Sequence, residues 1–228
     1  TLQFAKAAVA GEQLGQGNQT DFLTINCAST DYTGHQFGPN SIEVEDVYLR
    51  LDKNLGEFFN YLDSKVGKGN YMVFLTADHG AAHAEGFMEA NKMPTGFSRN
   101  ITASLNQYLQ SKFGEAKLAI GSDNDAISFD NTLIASKGLD KEKIKQATID
   151  FLQQQPQILY AVDEAKAAEA PVPQLIRDMI INGYNRQRTG DVKFILQSGF
   201  LPEGYKTGTT HGLWNPYDTH IPLLFYGW

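Results

Sequence analysis

The sequence has 228 residues, of which 42% are hydrophobic and 20% charged, and this composition excludes a disordered, collagen-like or coiled-coil chain. The 26 acidic residues outnumber the 19 basic ones and give a formal net charge of −7, which argues against nucleic acid as a main partner because phosphate binding needs a basic face. Cys27 is the only cysteine, so an intrachain disulfide framework and a cysteine-rich zinc module are excluded, and any metal must be held by histidine and carboxylate.

The sequence also lacks the apolar segments that form membrane spans and signal peptides. No stretch approaches the roughly 18 to 20 apolar residues of a membrane span, and the first residues lack the charged and apolar regions of a signal peptide. The chain does not begin with Met, and both of its ends look cut. We therefore expect a fragment of a longer protein that has no membrane partner.

The first predicted elements are a strand, a helix and a second strand. Residues 21–29, DFLTINCAS, form a short apolar run that is typical of a buried strand in a parallel sheet. Hydrophobic residues recur at helical spacing over residues 41–65, with Asn40 and Glu43 as the N-cap and its N3 partner. The second strand is predicted at residues 71–77, YMVFLTA. Such a βαβ unit predicts parallel strands whose carboxyl ends share one sheet edge, where α/β proteins bind ligands.

Predicted strands and helices alternate over residues 95–190, which predicts a small α+β lobe inserted into the sheet domain. We expect residues 1–94 and 191–228 to form an α/β core, with the apolar run IPLLFYG at 221–227 as a third buried strand. The predicted elements of the lobe are a helix around 101–113, a hairpin across 118–131, a helix at 141–155, a strand at 158–162 and a helix at 173–184.

Acidic and imidazole side chains follow both strands of the predicted βαβ unit. Asp31 and His35 come after the first strand, and Asp78 and His79 come after the second, so all four are expected near one crevice. Zn²⁺ binds neutral imidazole nitrogen and carboxylate oxygen, and catalytic sites use about three protein ligands. Asp31 and His35 together with the distant His211 make one candidate ligand set.

The sequence also contains candidate ligands for a second metal ion. Asp78 and His79 can both turn toward it if the backbone bends, as Gly80 permits. Two ions roughly 3.5 to 4 Å apart form the usual clamp for in-line displacement at phosphorus. Asp78 and His79 therefore form a candidate second metal position beside the first.

Several of these residues also have structural interpretations. An Asp-x-x-x-His motif in a loop is common, an Asp-His pair after a strand often caps a helix, and the spacing of His211 alone is uninformative. A turn or structural role is favoured for His83 and for His220. Asp218 either orients a ligand histidine, since such carboxylates fix imidazole tautomers, or has a structural role. The sequence leaves both interpretations of Asp218 open.

Three motifs in a fixed order carry a resemblance to a known family. They are STDYTGHQFGP at 29–39, FLTADHGAAH at 74–83 and TGTTHGLWNPYDTHIPLLFYG at 207–227. In this order they resemble the alkaline phosphatase superfamily, nearest to the branch of bacterial single-chain alkaline phosphatases with a threonine nucleophile and of nucleotide pyrophosphatase/phosphodiesterases. The resemblance runs over essentially the whole chain. It implies the α/β parallel-sheet sandwich core of the alkaline phosphatase type, present in part, with the small α+β lobe inserted.

The resemblance also implies which residues of this chain bind each of the two zinc ions. Asp31, His35 and His211 match the residues that bind one zinc, and Asp78 and His79 match two ligands of the other. In the family the second zinc is completed by an upstream aspartate and by the nucleophilic threonine or serine. These residues, and the substrate-binding Asn, Lys and Arg, precede the part that this chain resembles.

The resemblance therefore assigns no catalytic residue to this chain. Thr33, Thr209 and Thr210 lie beside the ligands but match structural positions. We expect the metal-binding C-terminal portion of a zinc-dependent alkaline phosphatase, which holds two Zn²⁺ when intact and hydrolyses phosphate monoesters through a covalent phosphothreonine. Its partner would be the missing N-terminal portion of the same protein, without which the chain would be inactive, and its implied location is periplasmic or secreted.

Other functions remain open at this point. A phosphodiesterase, a nucleotide pyrophosphatase or a sulfatase of the same superfamily would use the same metal-binding edge and differ in groups outside this chain. A non-catalytic metal-binding fragment would also fit the ligand set without a nucleophile. Activity of the purified chain separates the last possibility from the others.

Overall fold

The fold is that of a computed structural model, which describes residues 1–97, 100–202 and 207–227, without the side chains of Phe97 and Asp123. The chain divides into two compact units, one made of Thr1–Asn91 with Tyr205–Trp228 and the other of Lys92–Gly204. The helices within the described residues are α1 (Leu2–Gly11), α2 (Ser29–Phe37), α3 (Ile42–Leu62), α4 (Glu85–Ala90), α5 (Ile101–Phe113), α6 (Asn131–Ser136), α7 (Lys141–Gln153), α8 (Gln174–Gly183) and α9 (Pro216–Thr219).

Within the described residues the strands are short and form three small sheets. They are β1 (Val73–Thr76), β2 (Gly96–Phe97), β3 (Ala119–Gly121), β4 (Ala126–Phe129), β5 (Ile158–Asp163), β6 (Val192–Leu196), β7 (Phe200–Leu201) and β8 (Leu223–Tyr226). β1 pairs with β8, β2 pairs with β7, and the remaining strands form a sheet of order β3-β4-β6-β5. The protein therefore has the mixed α/β architecture that the sequence predicts.

The long helix α3 organises the first unit. Its N-cap is Ser41, whose Oγ accepts a hydrogen bond from the Val44 N–H at 3.3 Å, so the cap lies one residue after the predicted Asn40. The helix buries Phe58 and Leu62 against Ala5 and Val9 of α1. This packing follows from the helical spacing of the apolar residues in both segments.

The strand predicted at residues 21–29 is wrong. Residues 21–27 belong to no helix or strand, and Ser29 already begins α2. The Phe22 ring stacks on Phe74 with centroids 6.1 Å apart, yet Phe22 is 76% exposed. An apolar run forms a buried strand only where a neighbour supplies a hydrogen-bonding ladder and a covering layer, and the described part of the chain provides neither here.

The predicted parallel βαβ pairing is therefore absent from the described residues. β1 pairs antiparallel with β8, with Val73 opposite Tyr226 and Thr76 opposite Leu223. The third predicted strand is present, but its predicted burial is wrong, since Leu224 and Phe225 are 60% and 59% exposed. Strand side chains are buried only when a second layer packs on the face of the sheet, and no described residue covers these two.

The second unit is a small α+β structure with its own core. The predicted hairpin forms between β3 and β4, and β6 lies between β4 and β5 with antiparallel neighbours on both sides. The sequence assigns residues 191–228 to the core domain, but the hydrogen bonds of β6 join it to the sheet of this unit. Fully buried side chains form its interior: Leu105, Leu109, Leu118, Ile127, Ile144, Leu152, Val192 and Phe194.

Within the described residues, no helix combines the length and the apolar character that crossing a bilayer requires.

Candidate metal centre

Asp31 and His35 lie on a helix and not in the loop that the sequence predicts. Both belong to α2, where residues four apart share one face, and His35 Nε2 lies 3.5 Å from Asp31 Oδ1. The sequence analysis predicts no helix at these residues, which it places after a strand at 21–29. Helical spacing thus brings the first two candidate ligands together by local structure alone.

The loop that carries His211 packs directly against the end of α2. The His35 Nδ1–H donates to the Thr209 carbonyl oxygen at 2.9 Å, and the Thr209 N–H donates back to the His35 carbonyl oxygen at 3.1 Å. Gly208 permits this approach, because a Cβ at that position would overlap the His35 carbonyl oxygen. A carbonyl oxygen only accepts, so the bond from Nδ1 leaves Nε2 of His35 with a free lone pair.

Three ligand atoms converge at this point. His211 Nε2 lies 4.0 Å from Asp31 Oδ1, and one ligand atom from each of Asp31, His35 and His211 lies within 4.8 Å of the others. Ligand atoms around a tetrahedral zinc ion, at the usual bond lengths of about 2.0 to 2.2 Å, stand roughly 3.3 to 3.6 Å apart. The donor set therefore fits a zinc ion with a small inward movement of the side chains.

Asp78 and His79 follow β1 and approach the same point. His79 Nε2 lies 3.8 Å from Asp31 Oδ1 and 3.8 Å from Asp78 Oδ1, and its Nδ1–H donates to the Gly80 carbonyl oxygen at 2.7 Å. The Asp78 side chain is 91% exposed. Gly80 is required for close approach and not for a left-handed bend, since a Cβ there would overlap the Tyr217 carbonyl oxygen.

The imidazole rings of the site stack on one another. His79 and His211 have centroids 3.4 Å apart with planes 11° from parallel, and the His35 ring is 5.0 Å from that of His211. Burial lowers the pKa of His211, and the neighbouring His79 lowers it further. The negative charge of Asp31 acts in the opposite direction and raises the pKa. A lowered pKa favours the neutral imidazole, which is the form that binds metal.

Contacts that the sequence does not predict hold the surrounding loops in place. The His83 Nδ1–H donates to Asn40 Oδ1 at 2.7 Å, which supports its predicted structural role and ties the 78–83 turn to the segment after α2. Thr209 is buried, and its hydroxyl donates to the Ala82 carbonyl oxygen at 2.7 Å. Only the position of these residues within the glycine-containing motifs pointed to them.

The structure therefore brings all five predicted ligands together. Ion binding itself stays a prediction, and so does the division of the ligands between two metal positions. Thr33 donates its hydroxyl to the Ser29 carbonyl oxygen at 2.8 Å, a bond within the helix backbone that accords with a structural role.

Comparison with known proteins identifies the class to which this fold and site belong. The sequence profile of the type I phosphodiesterase / nucleotide pyrophosphatase family matches residues 1–218. The chain belongs to this family.

The relatives include enzymes that are named alkaline phosphatases. The chain is 50% identical to alkaline phosphatase PafA of Elizabethkingia meningoseptica and 51% identical to alkaline phosphatase PhoV of Synechococcus elongatus, in each case over its whole length. It spans 42% of PafA and 41% of PhoV. The crystal structure of wild-type PafA superposes with a TM-score of 0.94 over the whole of this chain and 44% of that one.

A more distant structure shares the fold. Murine ectonucleotide pyrophosphatase / phosphodiesterase 5 superposes with a TM-score of 0.61 at 17% identity, over the whole of this chain and 52% of that one. The alkaline phosphatase type of fold that the motifs imply is thus confirmed.

Proposed function

We propose that this chain is the metal-binding part of a zinc-dependent alkaline phosphatase that hydrolyses phosphate monoesters through a covalent phosphothreonine. The observation that carries the proposal is the convergence of Asp31, His35 and His211, whose ligand atoms lie within 4.8 Å of one another. The 50% identity to PafA supports the choice of activity. The threonine and the remaining ligands would come from an upstream segment of the same protein.

The residues of this chain prepare the site by fixing imidazole orientation. His35 and His79 each donate Nδ1–H to a backbone carbonyl oxygen, so Nε2 of each ring is available as a ligand. Asp31 supplies a carboxylate oxygen between the three rings. When bound, a pair of zinc ions would activate the nucleophile and stabilise the leaving oxygen as Lewis acids.

The ligand count predicts unequal affinity at the two metal positions. Asp31, His35 and His211 supply three ligands to the first, whereas Asp78 and His79 supply two to the second. We expect about one tightly bound zinc per chain, with weaker or no binding at the second position.

Metal analysis of two histidine variants tests the proposal. His211→Ala should lose the zinc that survives dialysis, because one of three ligands is removed. His220→Ala should keep it, since His220 is not among the three residues whose ligand atoms converge. Elemental analysis after dialysis gives the zinc content, and equal loss from both variants would contradict the ligand assignment.

A phosphodiesterase is the second candidate, because the matching family profile is that of type I phosphodiesterases. A phosphatase and a diesterase of this family would share the metal ligands of this chain. Comparing an aryl phosphate monoester with the corresponding diester as substrates of the assembled enzyme separates them. The proposal includes a periplasmic or secreted location, which fractionation of the producing cells would test.

A further inference from the structure

Thr209 is a buried polar residue that bonds to two ligand-bearing segments besides its own loop. It is 2% exposed and lies two residues before His211. Its carbonyl oxygen accepts from the His35 ring at 2.9 Å, and its N–H donates to the His35 carbonyl oxygen at 3.1 Å. Its hydroxyl donates at 2.7 Å to the carbonyl oxygen of Ala82, three residues after His79. One residue thus contacts segments that carry ligands of both proposed metal positions.

The hydroxyl bond is the stronger of two hydrogen bonds between Ala82 and the 207–213 loop. The Ala82 N–H donates to the Thr210 carbonyl oxygen at 3.3 Å, beyond the usual range of about 2.7 to 3.2 Å. The Thr209 hydroxyl is 2.7 Å from the Ala82 oxygen and 3.4 Å from the Thr210 oxygen, so the first is its main acceptor. A further contact of the turn, from His83 to Asn40, is exposed, and water competes for it. Ala82 is 1% exposed, so loss of the hydroxyl would leave a buried carbonyl oxygen unpaired.

The 78–83 turn is also bonded to α9. The Gly80 N–H donates to the Asp218 carbonyl oxygen at 2.7 Å. The carboxylate of Asp218 accepts from the Leu213 N–H at 2.5 Å, which is a structural role for this buried residue. These bonds hold the turn beside α9, but they do not reach α2, to which Thr209 is bonded.

The position of the turn determines the distance between ligands of the two metal positions. The rings of His79 and His211 have centroids 3.4 Å apart, and His79 Nε2 lies 3.8 Å from Asp31 Oδ1. Two metal ions that clamp a phosphoryl group lie roughly 3.5 to 4 Å apart. A two-metal site therefore needs a contact that fixes the separation of its two sets of ligands.

We propose that Thr209 is a positioning residue: its hydroxyl holds the 78–83 turn and so keeps His79 at a fixed distance from the ligands of the first metal position. The proposal rests on the proposed function, in which His35 and His79 bind different zinc ions. It assigns two tasks to one residue, since the backbone of Thr209 orients His35 and the side chain places His79.

The variant Thr209→Val separates these tasks, because valine keeps the branched shape and the backbone bonds to His35 but has no hydroxyl. Stacked rings shift the NMR signals of each other's protons upfield. In the metal-free full chain at about pH 8, where an ordinary histidine is neutral, the ring protons of His79 and His211 should therefore move downfield in this variant. Thr209→Ser keeps the hydroxyl and should keep the wild-type shifts.

Cobalt(II) gives a second measure of the same distance. It is a divalent first-row metal ion that suits nitrogen and oxygen ligands, so we expect it at the first metal position. Its unpaired electrons speed the relaxation of nearby protons, steeply with decreasing distance. In Thr209→Val the relaxation of the His79 ring protons should slow several-fold, whereas that of His35 and His211 should not change. Equal changes at all three rings would indicate a merely structural role and contradict the proposal.

The control is Thr148→Val in the other unit. Thr148 is also fully buried, and its hydroxyl donates to the Ile144 carbonyl oxygen at 2.9 Å within α7. This variant loses the same kind of bond and should change neither the histidine shifts nor the cobalt relaxation. Thermal melting shows whether each variant is folded.

The outcomes distinguish this proposal from the proposed function. Wild-type ring shifts and cobalt relaxation in folded Thr209→Val would overturn the role of Thr209 and leave the metal site standing. Failure of the wild-type chain to bind zinc or cobalt would overturn the metal site, while the metal-free ring shifts would still decide whether the hydroxyl places His79. If Thr209→Val does not fold, Thr209→Ser decides, because displaced rings in a variant that keeps the hydroxyl would contradict the proposal.

Discussion

Glu164 is a buried carboxylate with an unpartnered oxygen, and it lies in the unit formed by Lys92–Gly204. It is 5% exposed, and Oε2 has no hydrogen-bond partner among the described residues. Burial raises the pKa of its carboxyl group, while the nearby Thr189 hydroxyl and the charge of Lys193 act in the opposite direction. Because the folded pKa lies above the unfolded one, Glu164 favours folding in its protonated form. This contribution is complete below the unfolded pKa and is lost as pH rises through the folded pKa.

We expect Glu164→Gln to be more stable than the wild type at pH 7, because a neutral amide escapes the desolvation penalty. The melting temperature should rise by about 2 to 4 °C, the shift that roughly 1 kcal/mol produces in a protein of this size. The difference should vanish below about pH 4, near the ordinary pKa of a glutamate. The exposed Glu169→Gln in the same turn is the control, and a rise that persists at acid pH would contradict the argument.

At the scale of the secondary-structure elements, the loop at 207–213 packs closely against the end of α2. Gly208 lies against the backbone of His35 and Gln36 at the end of α2, where an added Cβ would meet carbonyl oxygens and not a movable side chain. The ligand His211 is three residues further along this loop. The position of one glycine thus controls the distance between two ligand-bearing elements.

Gly208→Ala should destabilise the chain by about 1 to 3 kcal/mol, the usual cost of overpacking, and should weaken zinc binding because the loop must move away from α2. Gly56→Ala is the matched control, since Gly56 lies within α3 with open space around its Cα. The control should be stabilising by up to about 1 kcal/mol through helix propensity. Urea unfolding measures both free energies, and equal effects of the two substitutions would refute the packing argument.

The elements that the sequence predicts well are those determined by their own periodicity. Residues 101–113 and 141–155 show helical spacing and form α5 and α7, and the turn within 118–131 forms the predicted hairpin. Residues 21–29 and 221–227 have equally clear apolar patterns, but their burial depends on neighbours that no local pattern reveals. The helical start at Ser29 was missed for the same reason.

The sequence predicted that the candidate ligands lie close together, but it did not predict the geometry of the site. The types of Asp31, His35, Asp78, His79 and His211 predict metal ligands, and in the structure their side chains lie near one another. The stacking of His79 on His211 depends on close backbone approaches at Gly80 and Gly208, which sequence spacing does not encode. The predicted sheet edge was not needed to assemble the ligands.

At the scale of the whole molecule, the β1–β8 sheet exposes a large apolar surface. Phe74, Leu223, Leu224 and Phe225 are each about half exposed or more. Monomeric proteins rarely expose contiguous apolar patches of this kind, and such surfaces usually contact another segment or chain. More than half of PafA and PhoV lies outside the part that this chain matches. We therefore propose that an upstream segment of the same protein covers this sheet.

Supplying that segment as a second polypeptide should give a stable complex with two zinc ions per assembly and phosphomonoesterase activity. The chain alone should hydrolyse an aryl phosphate no faster than a metal-stripped control, because it has no assigned nucleophile, and removal of a nucleophile costs orders of magnitude in rate. Size-exclusion chromatography, zinc analysis and initial rates measure these outcomes.

Two variants of the assembled complex test the metal assignment. Asp78→Ala should lose most of the rate by removing a ligand of the second metal position, whereas Asp52→Ala, exposed on α3, should keep it. A monomeric chain that melts cooperatively and ignores the added segment would contradict the proposal and favour a self-sufficient metal-binding domain.

The mixture of local and distant ligands links metal binding to the folding of the chain. Asp31 and His35 are one helical turn apart, whereas the loop that carries His211 meets α2 across 174 residues, the separation of His35 and Thr209. An unfolded chain can offer an ion the local pair, but it gathers the third ligand only by closing that long loop at a large entropic cost. Zinc would therefore bind the native state far more tightly and raise its stability by mass action. A chelator would act on this protein as a mild denaturant.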